Sequence, residues 1–207
     1  MRPAYGKTNQ RRTTRLLSLA VFLAVVSPAC RQARVTSNIG RKPQDVNESR
    51  LINADREPGN WMTYGRTYNE QRFSPLNQVN DRNVSQLGLA WYYNLDTNRG
   101  QEATPIVVDG VMYFTSAWSK VFALNAVTGE QLWSYDPKVP GKWAVNACCD
   151  VVNRGVSAWN GKIFAGTLDG RLIALDAKTG RLVWETLTID PSSRYTITGA
   201  PRVVKGK

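Results

Sequence analysis

Two adjacent cysteines, Cys148 and Cys149, carry the most distinctive chemistry in the chain. They lie in the string Asn146-Ala-Cys-Cys-Asp-Val-Val-Asn-Arg-Gly155. A disulfide wants Cα atoms about 4.4–6.8 Å apart, whereas sequence neighbours sit about 3.8 Å apart, so a bridge here is strained. Strain of that kind is tolerated mainly at functional sites. The other reading of the pair, two small buried thiols, stays open. Asp150, next to the pair, reads as structural rather than catalytic. The rest of the inventory is restrictive. The 207 residues contain no His, which excludes His-based triads, His–metal sites and C-x-x-C-H haem attachment. Three Cys are too few for a disulfide scaffold.

The elements that must position these residues show themselves as a repeat. Residues 121–133 read Val-Phe-Ala-Leu-Asn-Ala-Val-Thr-Gly-Glu-Gln-Leu-Trp, and residues 172–184 read Leu-Ile-Ala-Leu-Asp-Ala-Lys-Thr-Gly-Arg-Leu-Val-Trp. Ala123, Leu124, Ala126, Thr128, Gly129 and Trp133 recur as Ala174, Leu175, Ala177, Thr179, Gly180 and Trp184, at a constant offset of 51. The same offset aligns Gly110 with Gly161 and Tyr113 with Phe164. Each unit parses into four short strands, at 105–108, 111–115, 120–124 and 131–135, then at 156–159, 162–166, 171–175 and 181–185. The turns are Asp109-Gly110, Asn160-Gly161, Asp169-Gly170 and the Thr-Gly pairs. Asx-Gly marks a tight hairpin because its central residues must accept positive φ. Four antiparallel strands repeated at this period predict an all-β fold of β-propeller blades. The Ala and Gly positions let sheets approach, and each Trp can pack between blades and donate its N–H to a backbone carbonyl. Trp91 reads as the end of an earlier blade strand, and Pro201-Arg-Val-Val-Lys-Gly206 as the opening of a further one. Two blades and parts of others cannot close a ring of four to eight blades. The expectation is therefore an N-terminal fragment carrying the first two to three blades.

The formal charge of +11 invites a nucleic-acid reading, but its distribution argues otherwise. Residues 1–29 carry +5, residues 30–50 carry +3, and residues 51–207 carry only +3 with the signs interspersed. No nucleic-acid partner is expected. Arg11, Arg12 and Arg15 precede an apolar run from Leu16 to Val26, and Ser27-Pro-Ala-Cys30 follows. A basic region, a run too short for the roughly 20 residues of a membrane span, and small residues at a cleavage point read as a secretory signal over 1–29. Arg11-Arg12 resembles a twin-arginine signal, with an ordinary basic region as the favoured reading. Cys30 directly after the signal raises lipidation and membrane association, although Ser27 stands where a lipobox usually has Leu. A Cys in a polar stub is the other reading. Residues 30–57 read as a polar linker and 58–207 as the propeller portion. An exported, periplasmic chain permits disulfides, which favours the Cys148–Cys149 bridge.

The Cys-Cys-Asp-x-x-Asn-Arg-Gly string and the Ala-Leu-Asx-Ala-x-Thr-Gly-x-x-x-Trp repeat together resemble the pyrroloquinoline quinone (PQQ) alcohol dehydrogenases. That family includes methanol dehydrogenase and the quinohaemoprotein alcohol dehydrogenases. Trp61-Met-Thr-Tyr-Gly-Arg-Thr-Tyr-Asn-Glu-Gln-Arg-Phe-Ser-Pro-Leu76 resembles the family's N-terminal signature, and Gln101-Glu-Ala-Thr-Pro105 its first blade. The similarity covers roughly residues 58–207. It implies an eight-bladed propeller with the quinone in the central funnel. It also implies a role for five residues. Cys148 and Cys149 match a disulfide floor under the cofactor. Glu102 matches an acid that hydrogen-bonds the cofactor, Arg154 an arginine that reaches the quinone oxygens, and Thr198 a threonine that binds a cofactor carboxylate. PQQ is a planar tricarboxylate, so a guanidinium and hydroxyl donors suit it.

The resemblance further implies oxidation of an alcohol to an aldehyde or ketone by hydride transfer to PQQ. Ca²⁺ would assist, and electrons would pass to a cytochrome c or a membrane quinone. The Ca²⁺ ligands, the general base and the tryptophan over the second quinone face are expected beyond residue 207, so the 207 residues alone are expected to be inactive. The Cys pair favours alcohols over glucose, because the related membrane glucose dehydrogenases lack it. The alternative is a non-catalytic PQQ-like propeller lipoprotein serving as an envelope assembly scaffold. Cys30 favours that alternative; Cys148, Cys149, Glu102 and Arg154 together argue against it.

Overall fold

The computed structural model describes residues 46–207. The expected secretory signal, Cys30 and most of the expected linker lie outside the described residues. Two four-stranded antiparallel sheets dominate. The first runs in the order β1 (Ile106–Val108), β2 (Val111–Thr115), β3 (Val121–Asn125), β4 (Gln131–Tyr135). The second runs in the order β5 (Ser157–Trp159), β6 (Lys162–Gly166), β7 (Arg171–Asp176), β8 (Leu182–Leu187). These are the eight strands that the alternating pattern predicts, with ends shifted by one or two residues.

The repeat is visible in the ladders. Asp109-Gly110 and Asn160-Gly161 take φ of 50° and 83°, and 44° and 69°, as two-residue hairpins between apolar strands require. Both third-to-fourth strand pairings carry a register shift at the same place, between Ala123 and Leu124 and between Ala174 and Leu175. The Asx residue of each repeat has a local task. Asn125 Oδ1 accepts from the amides of Val127 and Thr128 at 2.9 and 3.2 Å, and Asp176 Oδ1 from those of Lys178 and Thr179 at 3.1 and 2.8 Å. This side-chain turn ends in Gly129 or Gly180, both at positive φ.

One core holds the two sheets together. Ile106, Tyr113, Val121 and Ala123 from the first sheet meet Ile163, Ala165, Ile173 and Leu175 from the second. Trp133 closes this layer. Its ring lies on Gly180 so tightly that a Cβ there would sit 2.6 Å from ring carbons. Its Nε1 donates to the Ala177 carbonyl at 3.1 Å. Trp91 lies on Gly129 in the same manner, with ring carbons 2.5 Å from a Cβ built there. Each tryptophan thus caps the Thr-Gly turn of the following repeat. Trp184, the next in the series, is 40% exposed, and Leu182 beside it is 41% exposed.

Two expectations are corrected. The polar linker does not run to residue 57. Asn47 caps a short helix α1 (Glu48–Ile52), and Val46, Leu51 and Ala54 are buried in the shared core. Arg50 fixes this segment by ion pairs to Glu57 at 2.5 Å and Asp109 at 2.9 Å. Three apolar anchors are enough to bury a stretch whose average composition is polar. Second, neither Trp91 nor residues 201–206 lies in a strand. Residues 91–95 instead cover Phe114 and Phe122 on the outer face of the first sheet. A strand needs a hydrogen-bonded neighbour, and neither stretch has one among the described residues.

Candidate functional site

Three segments converge beside the first strand of each sheet. Residues 101–105 lead into β1, residues 147–156 lead from the first sheet into β5, and residues 196–200 precede Pro201. They are tied by backbone bonds, Thr104 N to Arg154 O at 3.2 Å and Arg154 N to Thr198 O at 2.8 Å. Gly155 permits this approach. Its φ is 126°, and a Cβ there would meet the Thr104 carbonyl at 3.0 Å.

The convergence brings three of the expected site residues into contact. Arg154 Nη2 pairs with Glu102 Oε2 at 2.8 Å, and Arg154 Nη1 donates to Thr198 Oγ1 at 2.6 Å. The Arg154 and Glu102 side chains are each 39% exposed, open enough to meet a ligand. Cys149 lies within the electrostatic reach of both. Sequence separations of 44 and 52 thus collapse into one cluster with both cysteines at its margin.

The cysteines themselves depart from expectation. Both are free thiols, and both are exposed. The bridge is not formed, and the buried-pair reading does not hold either. Adjacent Cα atoms lie about 3.8 Å apart, below disulfide range, so closing the bridge requires strain. The Cys149 thiol is pushed up from its ordinary range, mainly by its hydrogen bond with Cys148. Asp150 is held below the usual carboxylate range, first by the Val151 amide and also by Arg99, with which it pairs at 2.9 Å. That supports a structural role, since Asp150 also takes a φ of 73° to turn the chain after the pair.

Asn153 was missed as a site residue. It is buried, and all four of its hydrogen-bonding positions are used. Oδ1 accepts from Thr115 Oγ1 at 2.9 Å and from Gly155 N at 3.1 Å; Nδ2 donates to Ser119 Oγ at 3.1 Å and to Gly166 O at 2.8 Å. It therefore locks the Cys–Arg loop to both sheets. Only its place inside the 146–155 string marks it in the sequence. Below the Cys pair, Ala117, Val151 and Leu168 form a small separate core on which the loop rests.

The donor set fits an anionic, oxygen-rich, planar ligand. The bonds to Glu102 and Thr198 use two of the five N–H groups of a guanidinium. The Thr198 hydroxyl accepts from Arg154 and keeps its own proton to donate. Cys148 and Cys149 offer an exposed, weakly polar surface beside these groups. Among the described residues no group of three or more His, Cys, Asp or Glu could hold a metal ion.

Residues 61–185 match the family model described as PQQ: glucose/ethanol/alcohol dehydrogenase, β-propeller domain. The chain belongs to this PQQ dehydrogenase family. It is 62% identical over 163 residues to the dehydrogenase subunit of alcohol dehydrogenase (quinone) from Komagataeibacter europaeus, covering 76% of this chain and 22% of that protein. It superposes on the quinohaemoprotein alcohol dehydrogenase ADH-IIG of Pseudomonas putida with a TM-score of 0.77 at 59% identity, over 79% of this chain and 24% of that one. A europium-containing methanol dehydrogenase superposes with a TM-score of 0.71 at 45% identity, over 75% and 28% of the two chains. The chain therefore spans about a quarter of the length of the curated relatives it matches. The two sheets are blades of this family's β-propeller.

Proposed function

We propose that this chain supplies part of the cofactor seat of an exported, periplasmic PQQ-dependent alcohol dehydrogenase that oxidises an alcohol to an aldehyde or ketone. The observation that carries this reading is the contact of Arg154 with both Glu102 and Thr198 beside the Cys148–Cys149 pair. Bound PQQ would supply the hydride acceptor. The residues of this chain bind and orient. Glu102 fixes one edge of the Arg154 guanidinium, leaving its free N–H groups for quinone and carboxylate oxygens, where developing negative charge is best stabilised by a donor already in place. Thr198 donates its hydroxyl to a ligand carboxylate. The cysteines form the floor, bridged by loss of two hydrogens to a thiol–disulfide exchange oxidant of the envelope.

Arg154 and Glu102 cancel in charge, so a tricarboxylate needs further positive charge. This supports a role for Ca²⁺ bound by residues other than those described. Glu102 is committed to Arg154, and the carboxylate that takes the alcohol proton is not assigned among residues 46–207; these residues alone are accordingly proposed to be inactive. A cytochrome c or a membrane quinone is the proposed electron acceptor, in keeping with relatives named quinohaemoprotein alcohol dehydrogenase and 1-butanol dehydrogenase (cytochrome c). Membrane attachment through a lipidated Cys30 is a further proposal.

Equilibrium dialysis of PQQ against the chain tests the seat. Weak saturable binding is expected, and Arg154→Ala should weaken it at least about tenfold, which corresponds to about 1.4 kcal/mol, within the range of one charge-assisted hydrogen bond. Equal affinity of the variant would remove Arg154 from the site.

A further inference from the structure

The loop over residues 64–72 is tight and strained. Arg66, Glu70 and Arg72 all take positive φ, at 74°, 50° and 55°. At Gly65 a Cβ would collide with the backbone of Glu70, and the Arg72 amide closes the loop on the Gly65 carbonyl at 3.1 Å. Arg66 anchors it. Its buried side chain reaches Asp55 at 2.7 Å and the Ala54 carbonyl at 3.4 Å, beside the shared core. Backbone strain of this kind persists only where the surroundings over-determine it, and it clusters at functional sites.

The loop presents Tyr64 to both segments that carry the partners of Arg154. The Tyr64 phenol is held below its ordinary range, first by a hydrogen bond with the Thr104 side chain and then by one with Arg72. Thr104 lies two residues after Glu102, and its amide donates to the Arg154 carbonyl at 3.2 Å. The Arg202 guanidinium lies over the Tyr64 ring, 4.1 Å from its centroid, with Arg72 at 4.4 Å. Arg202 lies four residues after Thr198. Its Nε pairs with Glu70 at 2.6 Å, and its Nη1 donates to the Ala200 carbonyl at 2.7 Å. Tyr68 adds a bond to the Val203 carbonyl at 3.2 Å. Residues 196–204 lie outside both sheets, and these contacts tie them to the loop.

We propose that Tyr64 is a positioning residue for the cofactor seat. Its hydroxyl holds the segment of Glu102 and its ring holds the segment of Thr198, so one side chain sets how far apart the two partners of Arg154 stand. That separation decides whether the guanidinium can meet Glu102 Oε2 at 2.8 Å and Thr198 Oγ1 at 2.6 Å together. With either arm cut, the segments part, Arg154 keeps one partner, and its free N–H groups turn away from the ligand. What Arg154 binds rests on the PQQ reading; how Tyr64 directs it does not.

Two variants of the full chain each cut one arm. Tyr64→Phe removes the hydroxyl and keeps the ring. Arg202→Lys keeps a charge for Glu70 and takes the planar guanidinium off the ring. Proton–nitrogen NMR reads the Arg154 Nε–H resonance, assigned by its loss in Arg154→Lys, and methyl NMR reads Thr198. Both should move in each variant. The Asn153 side-chain amide and the Trp133 indole N–H, which are hydrogen-bonded elsewhere, should stay in place. PQQ affinity in equilibrium dialysis should fall at least about threefold in each variant, the size of one exposed cation–π contact. An unmoved Arg154 resonance in either variant would overturn the proposal. So would Asn153 and Trp133 resonances that move with it, which marks a general loosening, or an unchanged affinity in a chain that binds PQQ. If the unaltered chain takes up no PQQ, the PQQ reading falls, and the resonances alone decide the role of Tyr64.

Discussion

Gly180 and Gly110 form a matched pair for measuring what the tryptophan contact between blades contributes. Both have positive φ, 71° and 83°. An alanine at either position must adopt a left-handed backbone, at about 1–2 kcal/mol. They differ in surroundings. A Cβ at Gly110 meets nothing within 4 Å, whereas one at Gly180 meets the Trp133 ring at 2.6 Å. That ring is 8% exposed and is held by its bond to Ala177, so it has little room to retreat. Forcing it outward adds an overpacking cost of about 1–3 kcal/mol. Gly110→Ala should therefore destabilise by about 1–2 kcal/mol and Gly180→Ala by about 2–5 kcal/mol. Urea unfolding followed by tryptophan fluorescence measures both, with unchanged slope as the check that the denatured state is comparable. Equal midpoints for the two variants would refute the claim that Trp133 and Gly180 are in tight contact across the blades.

Under an oxidising thiol–disulfide buffer, Cys148 and Cys149 should bridge, giving a non-reduced peptide two hydrogens lighter than its reduced form; two freely alkylated thiols would remove the floor from the site. In the reduced chain the thiol of Cys149 is raised in pKa, so less of it is thiolate at mildly alkaline pH than for an ordinary cysteine. Its alkylation should consequently lag behind a free-cysteine standard at pH 8 and catch up only at higher pH; a rate matching the standard across the range would mean that the two thiols do not interact. N-terminal sequencing of exported material should start at or near Cys30, and an intact Met1 would refute the secretory signal.

The strands were legible because Asx-Gly turns leave few alternatives for the chain on either side, and because the second repeat restates the first. The convergence of Glu102, Arg154 and Thr198 was legible only through resemblance to a family. No local pattern announces a contact between residues so far apart, and the backbone bonds of Arg154 to Thr104 and Thr198 create it. Asn153 was hidden for the same reason, since its four partners come from both sheets and the loop between them. Residues 46–57 were misread because burial there rests on Val46, Leu51 and Ala54 alone, with Arg50 paired to Glu57 and Asp109 rather than solvated. The state of the cysteines was not legible at all, because adjacency fixes the strain of a bridge and not whether it closes.

The seating of each tryptophan on the turn of the following repeat gives the molecule a direction in time. Trp133 meets Tyr113 within its own sheet, but its other contact waits until Gly180 has been synthesised. At about 5–20 residues per second, a repeat of 51 residues takes about 3–10 s to emerge. In a chain that emerges N-terminus first from an export channel, folding then trails emergence by one blade, with the most recent sheet showing an open indole. In the described residues that position is held by Trp184, with Leu182 alongside, and this moving front is the surface that nascent chains have to keep from one another.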